Sequence, residues 1–183
     1  MNRIPPIDLD AAEGKARTLL DGVKRSLGVT PNMMRALAHS PAALESCLTF
    51  SKTLGGGRLG PALGEQIALA VAGANGCEYC ASAHTLLASK AGVGKGEAAE
   101  NLEGRSGDAK TGAALRFARS LVAKRGFVDD AEVEAVRAAG FDDGAIAEMI
   151  AHVALNTFTN YFNHVAQTEV DFPRVAVGEP AVA

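Results

Sequence analysis

"EQIALAVAGANGCEYCASAH", residues 65–84, decides how the chain folds. Its first part, from Ile67 to Ala74, is alanine-rich and apolar nearly all round, as in a buried helix. Asn75-Gly76 interrupts that run, because glycine readily takes the left-handed conformation that ends a helix. Cys77 follows at once, and the residues from there to just before Gly92 again read as helix. Two helices therefore meet at an Asn-Gly break, and the second carries Cys77, Cys80 and His84.

Working outward, nearly every segment has helical character. A first helix is expected from near Asp10 to Leu27, closed by Gly28. "TPNMMRALAHS" and "SPAALESCLTFSKTLGGG" each open with a capping residue followed by proline, and Gly55-Gly56-Gly57 stops the second. A helix over about Pro61–Ala74 comes next, then the one begun near Cys77. "GVGKGEAAENLEGRSGD" reads as a short helix within a mobile connection. Asp108 and Asp129 cap two further helices, and the last runs from after Asp142 to about Val170. β-branched runs and hairpin signals are scarce, so the fold is expected to be all-α. A single domain over 1–183 is expected, with a helical arm over 1–30, a core over about 31–173 and a flexible tail over 174–183.

Composition limits the function classes. The chain has 183 residues, enough for one real core, with 48% hydrophobic and 21% charged residues. A net charge of -3 gives no general basic surface for nucleic acid. No apolar run is long enough to span a bilayer, and "MNRIPPIDLD" lacks the apolar core of a secretory signal. Three cysteines do not make a disulfide scaffold, so a soluble, cytoplasmic protein of a reducing compartment is expected.

The cysteine pair admits several readings. At a helix start, unpaired N–H groups and the helix dipole favour a thiolate at Cys77. Cys80 lies one turn on, and His84 a further turn on along the same face. The set then has a nucleophile, a resolving thiol and a proton carrier. A structural zinc site needs four ligands, and the chain has no second Cys-x-x-Cys, although Glu65 and His84 would complete the number. A purely stabilising disulfide over so small a loop removes little unfolded-chain entropy. The redox reading is preferred, with no metal and no organic cofactor. Cys47 is expected to be a small buried hydrophobe. Glu65 is open to two readings: a surface carboxylate favouring the helix dipole, or a buried one whose partner is the Cys-His face.

Together Glu65, Cys77, Cys80 and His84 form Glu-x11-Cys-x2-Cys-x3-His. This resembles the active-site motif of the AhpD-like alkylhydroperoxidases in the carboxymuconolactone decarboxylase superfamily. "RIPPID", "LGVTPNMMRALAHSPA", "NGCEYCASAHT" and "NTFTNYFNHVA" are similar to its peroxidase-related branch. The resemblance implies an AhpD-like helical bundle, a dimer-based homo-oligomer such as a trimer or hexamer, and a hydroperoxide substrate. It further implies Cys80 as peroxidatic thiol, Cys77 as resolving thiol, His84 and Glu65 as proton relay, and an external dithiol or disulfide reductase as reductant. One position departs from the pattern. The founding AhpD proteins have histidine where this chain has Tyr79, so a relay through that residue cannot operate in the same way. Two other functions are weighed beside the peroxidase: a non-enzymatic redox-sensing or binding oligomer, and a small-carboxylate or lactone enzyme using Glu65 and His84 as acid and base. Superfamily decarboxylases lack the cysteine pair, which argues against the latter.

The last helix carries a polar stripe, Glu148, His152, Asn156, Asn160, Asn163 and Gln167, with no lysine or arginine between Gly140 and Phe172. Exposed helix faces usually carry ion pairs, so a buried polar network or a subunit interface is the preferred reading. His164 or Asn160 is expected to line a cavity above the thiols, in the same subunit or a neighbouring one. Glu148 precedes Asn160 and Asn163 by the same intervals that separate Glu65 from Cys77 and Cys80, which suggests an internal pseudo-repeat of helix pairs.

Overall fold

The computed structural model describes residues 2–178, which hold nine α-helices and no strand. In chain order they are α1 Gly14–Leu27, α2 Asn32–Leu37, α3 Pro41–Gly55, α4 Gly60–Asn75, α5 Glu78–Lys90, α6 Lys95–Leu102, α7 Ala109–Ala123, α8 Asp130–Ala138 and α9 Asp143–Ala166. Helix α4 is the axis of the bundle and packs against α5, α6, α7 and α9. Its residues Ile67 to Ala72 are all buried, which accounts for an apolar character on every side. One part of the core joins α4 to α7 and α9 through Ile67, Val71, Leu115, Phe117 and Met149. A second lies around the thiols and gathers Leu20, Leu37, Leu44, Tyr79 and Leu155. Small residues let the helices approach closely: a Cβ on Gly73 would lie 1.9 Å from the carbonyl oxygen of Leu102 at the end of α6.

The Asn-Gly break forms as its sequence requires. Gly76 takes φ 65°, and the Cys77 N–H donates to the Ala72 carbonyl at 2.9 Å, closing α4. Cys77 is at the same time the N-cap of α5, so no loop separates the helices. Ser40, Asp108, Asp129 and Asp142 cap α3, α7, α8 and α9 through their side chains.

Several boundaries differ from expectation, each because of a contact outside the local pattern. Helix α1 begins at Gly14 rather than near Asp10, since the Asp8 carboxylate accepts the Asp10 N–H in a preceding turn and Gly14 is left-handed. Thr30 does not cap α2; Pro31 is its N-cap, and the Asp171 carboxylate accepts the Asn32 N–H at 2.8 Å. Helix α9 ends at Ala166, not Val170. Gln167 turns left-handed there, and the Arg3 N–H occupies the Ala166 carbonyl at 2.7 Å. The expected mobile connection around α6 is tied down by Glu97, whose carboxylate accepts from Ser106, Asn101 and Gln66.

The polar stripe of α9 is buried at His152, Asn156, Asn160 and Asn163, while Gln167 is exposed. The internal repeat of helix pairs is not present. The backbone breaks at Asn75-Gly76 between α4 and α5, whereas α9 runs unbroken through the corresponding Phe158 and Thr159. From the segment expected to be a tail, the Val175 N–H donates to Ser82 Oγ at 3.0 Å and Arg174 pairs with Glu78 at 3.0 Å. The rest of that segment, 179–183, lies outside the described residues. Among the described residues no helix is long and apolar enough to cross a membrane.

Candidate active site

Three helices build the site. Helix α4 contributes Glu65 and Asn75, α5 contributes Cys77, Cys80 and His84, and α9 contributes Asn156, Asn160 and Asn163. Both sulfurs are buried, Cys77 with 1% and Cys80 with 2% of its surface exposed. Neither is in a disulfide. Outside them lies the Glu65–His84 pair, with side chains 26% and 21% exposed, so solvent meets the carboxylate and imidazole before the thiols.

Glu65 Oε2 lies 2.7 Å from His84 Nδ1. An ionised carboxylate can only accept, so Nδ1 carries the proton and Nε2 is the nitrogen left to exchange one. Burial opposes a charge on the His84 ring. The Glu65 carboxylate outweighs it through charge and hydrogen bond together, and the ring holds its proton above the ordinary histidine range. Glu65 is thus a partner of the Cys-His face, although half-buried rather than buried.

The two thiols are unequal. Burial works against a Cys80 thiolate, but the Cys77 thiol, the charge of His84 and the amides of Asn163 and Asn160 together bring Cys80 below the ordinary thiol value. The Cys77 thiol moves the opposite way, raised first by its hydrogen bond to Cys80 and then by burial. Asn163 Nδ2 stands 3.2 Å from Cys80 Sγ. Cys77 Sγ in turn accepts the Cys80 backbone N–H at 3.4 Å. Burial pushes the Cys47 thiol up to about 11, in keeping with a core residue.

The remaining candidates divide. Asn156 faces His84, while its own Nδ2 donates to the His152 carbonyl at 2.9 Å. His152 is buried over Gly64, where a Cβ would come within 3.1 Å of its Cε1, and burial lowers its pKa. Glu148 is not in the thiol site. Its carboxylate accepts the Arg58 N–H at 2.8 Å and holds the α3–α4 turn. Tyr79 is buried but turned from the sulfurs: its hydroxyl accepts the Met33 N–H at 3.1 Å, and its ring meets Phe172 edge-on at 5.5 Å. His164 is exposed, one residue past the inward-facing Asn163 and hence rotated away. Asn160 lies against Cys80. A cavity of about 420 Å³ lies elsewhere, between Arg58, Leu63, Lys110 and Phe141. Among the described residues no group of three or more His, Cys, Asp or Glu side chains is placed to hold a metal ion.

Two contributors were missed by sequence reasoning. Asn75 Nδ2 donates to Asn160 Oδ1 at 2.9 Å, although its residue type in an Asn-Gly pair signals only a helix end. Met33 Sδ accepts from Asn163 Nδ2 at 3.1 Å, and nothing in its local sequence marks it.

Residues 41–124 match the carboxymuconolactone decarboxylase family. The fold is similar to that of a peroxidase-related protein from Ralstonia eutropha JMP134 with an alkylhydroperoxidase AhpD core. The two are 24% identical with a TM-score of 0.84, over 93% of this chain and 92% of that one. A peroxidase-related protein from Silicibacter sp. TM1040 is 21% identical with a TM-score of 0.79, over 91% and 92% of the two chains. The debrominase Bmp8, in complex with 2,3,4-tribromopyrrole, is 19% identical with a TM-score of 0.80, over 93% and 92%. No curated protein matches the chain.

Proposed function

We propose that this chain, which carries a carboxymuconolactone decarboxylase family domain over residues 41–124 and the AhpD-like fold, is a thiol-dependent peroxidase. The observation that carries the reading is geometric: two sulfurs stand one helical turn apart on α5, Asn163 Nδ2 lies 3.2 Å from Cys80 Sγ, and His84 is held through Nδ1 by Glu65 at 2.7 Å. A pair of that kind suits a two-electron reduction in two steps. Cys80 gives its proton to His84 Nε2, and its thiolate attacks the terminal oxygen of a hydroperoxide. The O–O bond breaks, Cys80 becomes a sulfenic acid, and the departing alkoxide takes the proton from His84. The Cys77 thiol then displaces the sulfenic oxygen as water and closes the disulfide. An external dithiol reopens the pair by exchange.

Glu65 serves by holding Nδ1–H of His84, which fixes the tautomer and supports the imidazolium. The oxidant and the dithiol approach from the Glu65–His84 side, the more exposed face of the site. A homo-oligomer belongs to the same reading. Ile150, Phe158, Tyr161 and Val165 stand exposed along the outer face of α9, in a segment without lysine or arginine, and a second copy would cover them.

Steady-state turnover of an organic hydroperoxide with a dithiol tests the reading, with a brominated pyrrole as comparison oxidant. Turnover that vanishes in the Cys77→Ser/Cys80→Ser double variant supports a thiol peroxidase. Activity toward a small carboxylate or lactone that survives the same double substitution would replace it with acid–base chemistry by Glu65 and His84.

A further inference from the structure

We propose that Asn160 and Asn163, with Asn75 behind them, form an amide cradle that makes Cys80, rather than Cys77, the nucleophilic sulfur of the pair. Two thiols at one helix start compete for a single negative charge. Backbone geometry favours the wrong one. Cys77 is the N-cap of α5, and its sulfur accepts the Cys80 N–H, the donor that usually stabilises a capping anion. With backbone alone, Cys77 would be the thiolate.

Side chains of α9 reverse that order. Asn163 directs Nδ2 at Cys80 Sγ from 3.2 Å and shares the same nitrogen with Met33 Sδ at 3.1 Å. A thioether is a weak acceptor, so it keeps the amide group in place while competing little for its hydrogens. Asn160 is oriented from behind. Its Oδ1 accepts from Asn75 Nδ2 at 2.9 Å, which assigns the two ends of the amide and leaves Nδ2 as the free end. That Nδ2 is buried and has no hydrogen-bond partner within ordinary distance. A fully buried donor without a partner is uncommon in folded proteins. Here it lies beside a sulfur on which charge develops, and both amides favour the charged form of Cys80. Cys80 is sealed from bulk water, so these amides take the place of solvent as donors. An amide N–H does not give up its proton, which leaves proton transfer to His84 alone.

The cradle rests on Cys80 as the nucleophile of the proposed function, but it does not depend on a peroxide as oxidant. Its test therefore uses iodoacetamide. The reduced full-length chain is alkylated across a pH series, and mass spectrometry follows Cys77 and Cys80 separately. In the wild type Cys80 is expected to show the lower inflection. Asn163→Asp, nearly the same shape but with a second acceptor at the sulfur, is expected to raise the Cys80 inflection by about one pH unit. It should also slow labelling at pH 7 about tenfold. Asn75→Ala, which touches neither sulfur, is expected to shift Cys80 the same way by a smaller amount, because Asn160 is free to turn over. A lower inflection at Cys77 than at Cys80 in the wild type overturns the proposal without reference to any variant. An unmoved Cys80 inflection in both variants, each folded by circular dichroism, overturns it as well. A chain with these shifts but no hydroperoxide turnover would keep the cradle and lose the peroxidase.

Discussion

His84 Nδ1 stands 2.7 Å from Glu65 Oε2, so a proton carrier on α5 is held by a carboxylate on α4. The two residues lie nineteen positions apart, and the Asn-Gly break between them folds one helix back against the other. Glu65→Gln removes the negative charge that offsets burial of the ring, so His84 loses its proton more easily. Hydroperoxide reduction at pH 7 is expected to fall about tenfold in Glu65→Gln and about a hundredfold in His84→Ala, the lower end of general acid–base contributions. Stopped-flow oxidation of the reduced chain measures both. Equal, wild-type rates in the two variants would remove the relay.

Cys80 and His84 also set a pH dependence. A lowered thiol pKa means that thiolate is reached at lower pH than in a free cysteine, so the rate rises with pH and levels off below about 8.5. His84, whose pKa is raised, keeps its proton beyond the ordinary histidine value and loses it as pH climbs further. The alkaline side of the profile therefore falls as the alkoxide loses its proton donor. The stability linked to Cys80 has the matching sense: it is present above the unfolded thiol value and is lost as pH falls through the folded one. Rates and denaturant midpoints over one pH series check both statements.

Tyr79 replaces a histidine of the founding AhpD pattern, and its hydroxyl is engaged by the Met33 N–H rather than by either sulfur. Tyr79→Phe is expected to leave the hydroperoxide rate within a factor of about two. The buried Met33 N–H loses its acceptor, and stability falls by about 1–2 kcal/mol. Chemical denaturation beside a rate measurement separates the effects. A large loss of rate at unchanged stability would instead give Tyr79 a part in the relay.

Gly73 tests the packing that carries the site. An alanine there would drive its Cβ into the Leu102 carbonyl, and backbone cannot move aside as a flexible side chain can. Gly73→Ala is expected to cost about 1–3 kcal/mol, read as a lower thermal midpoint. An unchanged midpoint would mean that α6 sits further from α4.

The parts of this structure legible in the sequence are those set by local chemistry. The α4–α5 junction follows from alanine-rich helix on both sides of a glycine that accepts φ 65°. The fixed spacing from Glu65 to His84 then puts carboxylate, thiols and imidazole together. The buried stripe of α9 was readable because a helix face without lysine or arginine has little reason to meet water. What was not readable depends on distant partners. Asp171 caps α2 across 139 positions, and the Arg3 N–H occupies the Ala166 carbonyl where α9 ends. Asn75 orients Asn160 across 85 positions. His164 and Asn163 are neighbours in sequence, yet a helix turns them to opposite fates, one exposed and one against Cys80. The apparent repeat between α4–α5 and α9 was a coincidence of spacing, since α9 continues as one helix through the positions where α4 ends.

The central claim is that Cys80 and Cys77 act as one two-electron couple. It is tested most directly by mass spectrometry of the reduced chain before and after one equivalent of an organic hydroperoxide. The account predicts loss of two hydrogens, mapped to a Cys77–Cys80 disulfide, and in Cys77→Ser a sulfenic acid at Cys80 instead. Thiols unchanged by the hydroperoxide, or oxidation that begins at Cys77, would contradict it.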